Sequence, residues 1–425
     1  MFKKLRTGMN NSLALLCWIV AGIITLFSGL CYAELGAAMP RAGGRVVYLN
    51  EAYHPIVGFM TGFSEWVIGG PGSIAALSLA LMEVLRTFFP LHGFGLKISA
   101  VVLIIAVTFY NLYGVKLASA VQSVSMIAKL IPIAIILIAA LLIGRVSPDL
   151  SFASANVYAK EHNTSIFAMM AIAIVAALWA YDGWTNLNIV TEEMREPHKN
   201  LPLALIIGIG GVTVLYTLFN FAILKVLPHE EIVSMIDAGE LYLGTAVAKK
   251  ILGNAGAIVV SVGMILSMFG CLNGLVLASP RMQYAMAKEG HFFKSFAKLH
   301  PKHKVPYVAI IVQCVFSCIL VFASDLDKLT NYVIVSNMLF GVLTIFAVPI
   351  LRKKYPTIAR PYKVWFYPVS IIITALIYIA LFVQAAIEDP INGLIGIGFP
   401  AMGAVTYFIF DRINHRTKNE EKEES

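Results

Sequence analysis

The sequence predicts an all-α protein that crosses a membrane many times, because of its hydrophobicity, its low charge and the spacing of its apolar runs. Hydrophobic residues make up 59% of the 425 residues and charged residues only 13%. That charged fraction is about half of what soluble domains carry. Apolar runs of about 20 residues, the length that a helix needs to cross the hydrocarbon core, recur along the chain. We therefore expect one transmembrane domain over residues 1–425, and we assign the net charge of +8 to loops and not to a nucleic-acid surface.

The apolar runs divide into eleven predicted spans separated by polar loops. The spans are 13–33, 56–88, 96–115, 119–144, 166–188, 202–227, 251–280, 306–323, 329–351, 366–387 and 391–411. Residues 1–12 are expected to form an outer segment and residues 412–425 a tail, of which 419–425 is polar enough to be disordered. Pro71, in a Gly-rich stretch, predicts a kink in the long second span.

The basic residues of the loops predict the orientation. Twenty Lys and Arg fall on the side that holds the C-terminal tail, eleven fall on the other side, and Lys129 lies inside a span. The positive-inside rule therefore places the C-terminus in the cytoplasm, with the protein in the cell (inner) membrane. Eleven spans then put the N-terminus outside, although Lys3, Lys4 and Arg6 are typical of a cytoplasmic start. One further helix upstream would remove this conflict, so we expect eleven spans of a total of twelve.

Cysteine and histidine usage gives no sign of a metal site, a cofactor or a disulfide framework. All five cysteines fall inside apolar spans, so we expect free thiols: Cys17, Cys31, Cys271, Cys314 and Cys318. No His, Cys or carboxylate spacing resembles a metal site. A membrane enzyme is disfavoured, because no nucleophile–base pair or metal cluster lies at membrane depth.

The fifth span carries Asp182-Gly183 near its middle. Glycine inside a helix costs about 1 kcal/mol, and aspartate competes for backbone hydrogen bonds, so the helix is expected to open here. In hydrocarbon an opened helix is stable only where it lines a cavity or is buried in protein. Many transporters build their substrate site at such a break between half-helices. The alternative is a kinked helix with a purely structural role.

Lys129 lies about ten residues inside the fourth span. A charge at that depth costs a few kcal/mol and indicates a function or an internal ion pair. The alternative is a lysine that extends to the membrane interface. Asp182 is the candidate counter-charge, and a second role for Asp182 is to cap the half-helix that begins at Gly183.

Four further polar residues are candidates for the site or for a gate. Glu65 faces either the bundle interior or the cytoplasmic mouth of the second span. Glu192 and Glu193 end the broken helix and are either gate partners or members of surface ion pairs. Asn273 lies in a small polar stretch of the seventh span, where it either packs helices together by hydrogen bonding or contacts substrate.

The motifs at these stretches, taken together, are those of one transporter family. They are Cys31-Tyr32-Ala33-Glu34-Leu35 with Pro40 and Gly43-Gly44, Ala128-Lys129-Leu130, Ala180-Tyr181-Asp182-Gly183-Trp184, Val190-Thr191-Glu192-Glu193-Met194 with Pro197, Asn200-Leu201-Pro202, Phe269-Gly270-Cys271-Leu272-Asn273-Gly274, Arg281 and Glu289-Gly290-His291. The sequence resembles the amino acid/polyamine/organocation (APC) superfamily, and within it the L-type amino acid transporter branch and its bacterial serine/threonine exchanger relatives. The resemblance implies a LeuT-type fold of twelve helices, in two inverted five-helix repeats whose first helices are both broken.

The resemblance also implies roles for individual residues. The carbonyl end of the first half-helix receives the substrate α-ammonium group, Trp179 is the aromatic gate, and Lys129 replaces a sodium ion. The remaining residues of the implied substrate site are Ala180, Tyr181, Asp182, Gly183 and Thr185. A sodium-independent antiporter of small or neutral L-amino acids, such as serine and threonine, is therefore expected to work by alternating access.

Two departures from the family pattern bear on function. The chain has no Gly-Ser-Gly-Ile-Phe-like break of the kind that receives the substrate carboxylate in the family's first helix. The loop 90–95 lacks the cysteine that animal relatives use to join a heavy chain, so no such partner is expected. The alternatives are a carrier of cationic amino acids or polyamines bound through Asp182, a membrane-bound amino acid sensor, and a truncated fragment that does not transport.

Overall fold

The computed structural model describes residues 10–151, 165–238, 243–388 and 390–423, and its regular elements in these ranges are helices. The α-helices are α1 (Asn11–Ala38), α2 (Arg45–Ala52), α3 (Pro55–Ser64), α4 (Gly70–Leu85), α5 (Gly93–Leu112), α6 (Val115–Ile143), α7 (Ile166–Ala180), α8 (Asn186–Ile189), α9 (Pro197–Val226), α10 (His229–Asp237), α11 (Leu243–Lys288), α12 (Tyr307–Ala323), α13 (Leu326–Lys354), α14 (Val369–Glu388) and α15 (Pro390–Glu423). The prediction of an all-α protein is confirmed.

Eight helical segments of the described chain are long and apolar enough to cross a membrane. They are Asn11–Ala38, Pro55–Leu85, Gly93–Leu112, Lys116–Ile143, Pro197–Val226, Leu243–Lys288, Lys328–Lys354 and Gly393–Phe410. Three shorter apolar helices are Ile166–Leu178, Tyr307–Ala323 and Val369–Gln384. These eleven segments overlap the eleven predicted spans, so the polytopic architecture is confirmed.

The last helix extends further than the sequence suggested. α15 runs to Glu423, so most of the tail that was expected to be disordered, residues 419–425, continues this helix. The prediction of disorder was wrong for this part because Lys and Glu, which dominate it, are good helix formers despite their polarity.

The long second span is distorted one turn before the predicted kink. Residues Glu65–Gly69 form a single π-helical turn between α3 and α4, and the Gly70 N–H donates to the Glu65 carbonyl. Pro71 follows directly; it has no N–H, and its ring crowds the preceding turn. The distortion therefore arises from Pro71 but lies in the turn before it, where wider π-type hydrogen bonding inserts one extra residue.

Close helix contacts at glycines hold the bundle together. α1 packs along α9, and a Cβ at Gly22 would fall 2.3 Å from the Thr213 hydroxyl oxygen. α6 packs along α11, and a Cβ at Gly263 would lie 2.4 Å from the Pro132 ring. Small residues at such crossings let two helix backbones approach closely, as is usual between transmembrane helices.

The short helix α2 turns back into the protein directly after α1. Its entry passes through Gly43 and Gly44, whose φ values of 107° and 53° lie in the left-handed region that favours glycine. Tyr48 of α2 is fully buried, and Arg45, the first residue of α2, is only 8% exposed. The glycine pair thus brings a cationic side chain into the interior of the bundle.

Candidate functional site

The helix of the fifth span opens where the sequence predicts. α7 ends at Ala180, residues 181–185 form turns, and α8 begins at Asn186. Gly183 has a φ of 106°, which a residue with a Cβ rarely adopts, and a Cβ built there would meet nothing within 4 Å. The break therefore needs glycine for its backbone conformation and faces open space.

Three cavities meet at this break, and Asp182 lines all of them. The central cavity has a volume of about 440 Å³ and is lined by Ser73, Ala76, Leu77, Gln122, Ala180, Asp182, Gly183, Asn186, Cys271, Gly274, Leu275, Thr330 and Val333. A second cavity, of about 70 Å³, is lined by Thr25, Ser28, Tyr32, Arg45, Leu178, Asp182, Trp184, Thr185, Ile334, Asn337, Met338, Gly341, Ile345 and Tyr378. A third, of about 30 Å³, is lined by Tyr32, Arg45, Glu65, Gly69, Ser73, Asp182, Thr185, Asn186, Ile189, Leu275, Met282 and Asn337.

Most of the predicted substrate-binding residues lie on these cavities. Ala180 and Gly183 line the central cavity, Thr185 lines both smaller cavities, and Asp182 lines all three. Trp179 belongs to the last turn of α7, but its side chain lies outside the described part of the chain.

Tyr181 is the exception among these residues. Its side chain is 5% exposed, packs against the rings of Trp18 and Tyr216, and donates a hydrogen bond of 3.0 Å to the Trp18 carbonyl. It therefore faces α1 and α9 and lines none of the three cavities, so the prediction that Tyr181 belongs to the substrate site rests on its place at the carbonyl end of α7 and not on its side chain. The reason is the last turn of α7, which directs this position toward the neighbouring helices.

The carbonyl end of α7 keeps part of its hydrogen-bonding capacity. The Ala177 carbonyl accepts from the Tyr181 N–H, and the Ala180 carbonyl accepts a 2.9 Å bond from the Tyr216 hydroxyl. Leu178, which would bond to the Asp182 N–H in an unbroken helix, has no such bond in the described structure and lines the second cavity. This helix end can therefore accept a hydrogen bond from a cation, and the helix dipole favours positive charge there.

Asp182 has neither of the two roles that the sequence suggested. Thr185, not Asp182, is the N-cap of α8, and this cap makes no side-chain hydrogen bond. No ion pair joins Asp182 to Lys129 within the described residues; the cationic side chain that shares cavities with Asp182 is that of Arg45. The two side chains line both smaller cavities together.

Arg45 is the functional candidate that sequence reasoning missed. Its Nη2 donates one bond of 2.7 Å to Glu65 Oε2 and another of 2.7 Å to Asn337 Oδ1, and its guanidinium lies 6.0 Å from the Phe340 ring centre. The bonds join α2 to the π-helical turn and to α13. The signal in the sequence is a basic residue directly after Gly43-Gly44, a position that is also typical of loop charge. Glu65 thus lines the third cavity with Arg45 as its partner. This agrees with the interpretation that Glu65 faces the bundle interior.

Lys129 lies on α6 and is half-buried. On the same helix, Ser125 and Pro132 contact Gly270 and Gly263 of α11, so Lys129 sits between these two close crossings. It lines none of the three cavities, and its ammonium group has no ion pair within the described residues.

Asn273 uses all four of its hydrogen-bonding positions within the protein. Its Oδ1 accepts from the Tyr110 hydroxyl at 2.6 Å and from Asn111 Nδ2 at 3.0 Å. Its Nδ2 donates to the Ala118 carbonyl and to Gln122 Oε1, both at 3.0 Å. Asn273 therefore joins α5, α6 and α11, and one of its bonds is to Gln122, which lines the central cavity.

The end of the broken helix packs on the loop that precedes α2. The Gly43 N–H donates to the Ile189 carbonyl at 3.4 Å, and the Ala42 N–H donates to Glu192 Oε2 at 3.2 Å. Tyr48 reaches α8 with a bond of 3.1 Å from its hydroxyl to Asn188 Oδ1. Glu192 is thus exposed and tied to this loop, whereas the Glu193 side chain lies outside the described residues.

Comparison with known proteins supplies the family. A model of the amino acid permease family matches residues 1–409. The chain belongs to this family. The protein is therefore a permease and not an enzyme, and the resemblance drawn from the motifs is confirmed.

Curated relatives of this permease are similar over most of its length. It is 38% identical to the serine/threonine exchanger SteT of Bacillus subtilis over 364 residues, which cover 84% of this chain and 80% of the relative. It is 31% identical to the human large neutral amino acids transporter small subunit 2, covering 97% of this chain and 76% of the relative. It is also 31% identical to the human cystine/glutamate transporter, covering 94% of this chain and 78% of the relative.

Proposed function

We propose that this permease is a sodium-independent exchanger of small or neutral L-amino acids, such as serine and threonine, and that it works by alternating access. The observation that carries the proposal is the opened helix at Asp182-Gly183, with three cavities around it. The similarity to a serine/threonine exchanger and to a large neutral amino acid transporter supports the substrate class.

In this proposal the substrate α-ammonium group binds at the carbonyl end of α7. The Leu178 carbonyl, the negative end of the α7 dipole and the Asp182 carboxylate all favour a cation there. Trp179 closes over the bound substrate, while Ala180, Gly183 and Thr185 shape its surroundings.

Lys129 takes the place of a transported cation in this mechanism. A fixed ammonium group at membrane depth supplies the positive charge that a sodium ion would supply, so no sodium gradient is needed. Its position between two close crossings of α6 and α11 supports a structural coupling between these helices.

The cytoplasmic side of the site is closed by contacts that break when the protein opens inward. Glu192 and Glu193 contact the loop before α2 in the closed state, and the 3.2 Å bond from the Ala42 N–H to Glu192 Oε2 is one such contact. Glu65 acts through its ion pair with Arg45.

We further propose that the permease resides in the cell (inner) membrane with its C-terminus in the cytoplasm. The excess of Lys and Arg in the loops on the C-terminal side supports this orientation. No disulfide-linked heavy chain is proposed, because loop 90–95 contains no cysteine.

Counterflow in proteoliposomes tests the proposal. In the absence of a sodium gradient, vesicles loaded with unlabelled serine should take up labelled serine, threonine and leucine. Empty vesicles should not. Dependence on a sodium gradient would contradict sodium independence. Silence with all three amino acids would contradict the proposed exchange itself.

A second candidate, a carrier of cationic amino acids or polyamines, is favoured by the Asp182 carboxylate at the meeting point of the cavities. Unlabelled arginine and putrescine, added as competitors in the same counterflow assay, distinguish the two. Strong inhibition by either, with none by serine, would select the second candidate.

A further inference from the structure

The guanidinium group of Arg45, a residue outside the family motifs, lines the two smaller cavities. The Arg45 side chain is 9% exposed, and Arg45 lines both smaller cavities together with Asp182, Thr185 and Asn337. Its Nη2 makes the bonds to Glu65 and Asn337, which leaves the N–H groups of Nε and Nη1 without a carboxylate partner in the described residues. A guanidinium has five N–H donors and no acceptor, so it can bind only an acceptor group of a ligand.

Arg45 and Asp182 bring side chains of opposite charge to the two smaller cavities, which both residues line. Asp182 lies at the helix break, next to the carbonyl end of α7, where a substrate ammonium group is favoured. Arg45 is held in these cavities by its bonds to Glu65 and Asn337. A zwitterionic amino acid bound with its ammonium group at the break therefore shares these cavities with the N–H donors of Arg45.

The size of the second cavity adds a limit on the ligand. Its volume of about 70 Å³ suits a small side chain, and hydroxyl-bearing residues of the second cavity, Thr25, Ser28, Tyr32 and Thr185, share its wall with Arg45. An ammonium or guanidinium group of a substrate in this cavity would share it with the Arg45 cation, whose partner Glu65 does not line it, and like charges repel.

We propose that Arg45 determines the substrate class of this permease: it donates hydrogen bonds to a small, uncharged polar side chain of the substrate, and it repels a cationic side chain. The inference rests on the proposed function and deepens it, since it selects hydroxyl- and amide-bearing amino acids from the neutral class. A site built to hydrogen-bond a substrate hydroxyl discriminates strongly against an analogue without one, because its own polar groups are then left unpaired.

Threonine and valine, which have nearly the same shape, test the hydrogen bond, and lysine tests the charge. Each is titrated as an unlabelled competitor of labelled serine counterflow in proteoliposomes. In the wild-type permease threonine should compete at least about tenfold better than valine, and lysine should not compete. Arg45→Met should reduce the threonine-over-valine ratio to near one. Arg45→Gln, which keeps amide donors but removes the charge, should keep part of this ratio and allow lysine to compete.

Arg41 provides the matched control. It lies four residues before Arg45 and pairs with Glu51 at 2.7 Å, but its side chain is 50% exposed and it lines none of the three cavities. Arg41→Met and Arg41→Gln should keep the wild-type threonine-over-valine ratio, and lysine should still not compete with serine.

Two kinds of failure remain distinguishable. A wild-type permease that shows no serine or threonine counterflow refutes the proposed function itself. A wild type that exchanges serine and threonine, combined with an unchanged threonine-over-valine ratio in Arg45→Met, overturns only the role of Arg45. If Arg45→Met does not fold because Glu65 loses its partner, the double variant Arg45→Met with Glu65→Gln replaces it, and the same ratio decides.

Discussion

Glu34 and Arg352 form a two-point ion pair that joins the C-terminal ends of α1 and α13. Arg352 Nε donates to Glu34 Oε1 at 2.7 Å, and Arg352 Nη2 donates to Oε2 at 2.6 Å. The Val364 N–H adds a third bond of 2.7 Å to the same carboxylate, and the Tyr367 ring centre lies 3.8 Å from the guanidinium. Glu34 is only 2% exposed, so its charge depends on these partners for stabilisation.

Replacement of Glu34 by alanine should destabilise the permease by about 3–5 kcal/mol, because Arg352 is left as an uncompensated, partly buried charge. Thermal unfolding of the purified protein in detergent measures the loss. Glu83→Ala is the control, since Glu83 pairs with Arg86 at an exposed site and should change stability by less than about 1 kcal/mol. Equal stability of the two variants would show that the Glu34 pair is not important for the fold.

Loss of the aromatic ring at Trp179 should weaken transport. Trp179→Ala opens the proposed gate over the substrate, and the initial rate of serine counterflow at low substrate concentration should fall at least about fivefold, which corresponds to about 1 kcal/mol of lost binding. Trp365→Ala is the control, because Trp365 is 44% exposed and lies in the connection between α13 and α14. Normal uptake by Trp179→Ala would remove Trp179 from the gate.

The Lys129→Ala variant should exchange serine at least about tenfold more slowly, since removal of the ammonium group leaves the proposed cation position without charge. Lys116→Ala serves as the control, because Lys116 is an exposed residue at the start of the same helix. Counterflow is measured with and without sodium. Unchanged kinetics for Lys129→Ala in both conditions would leave Lys129 with no role in exchange.

Asn273→Ala should lower stability and leave substrate preference unchanged. Four hydrogen bonds between helices are lost, and at about 0.6 kcal/mol for each the expected cost is about 2 kcal/mol. The control is Asn220→Ala, since the bond of Asn220 Nδ2 in the described part of the chain is to the Tyr216 carbonyl of its own helix. A changed order of competing amino acids in a fully stable Asn273→Ala variant would mean that Asn273 contacts substrate after all.

The contact between α2 and α13 should weaken in acid. A hydrogen bond from Arg41, and a second from the Tyr355 hydroxyl, hold the pKa of the Glu51 carboxyl below its ordinary value of 4.5. Because the folded-state pKa is the lower one, the stabilisation is complete above pH 4.5 and is lost as the pH falls through the folded-state value. The pair is partly exposed, so the contribution is at most about 1 kcal/mol.

The matched variant for this pH dependence is Glu51→Gln. Its unfolding temperature should lie below that of the wild type at neutral pH, and the gap should narrow as the pH falls below 4.5 and through the lowered folded-state pKa of Glu51. A gap of constant size across this range would assign the difference to packing and not to charge.

The break at Asp182-Gly183 and the distortion before Pro71 could be predicted from sequence, because glycine and proline act on the backbone of their own helix. The direction of the Tyr181 side chain could not, since it depends on how the last turn of α7 meets α1 and α9. Arg45 was missed for a related reason: its partners Glu65 and Asn337 are 20 and 292 residues away in the chain. A positive residue after a glycine pair is typical of a cytoplasmic loop, and only the tertiary fold carries it inward.

The π-helical turn sets the angular register of the whole second span. Glu65 and Ser73 are eight residues apart, and in a continuous α-helix, at about 100° per residue, they would point about 80° apart. The one extra residue in the turn reduces the effective separation to seven residues, or about 20°. This accounts for the fact that both side chains line the same cavity. Deleting a single residue between positions 65 and 69 would leave a continuous α-helix in the same register, whereas relaxing the turn to α-helical hydrogen bonding with every residue kept would rotate one half of the span by about 100° away from this cavity.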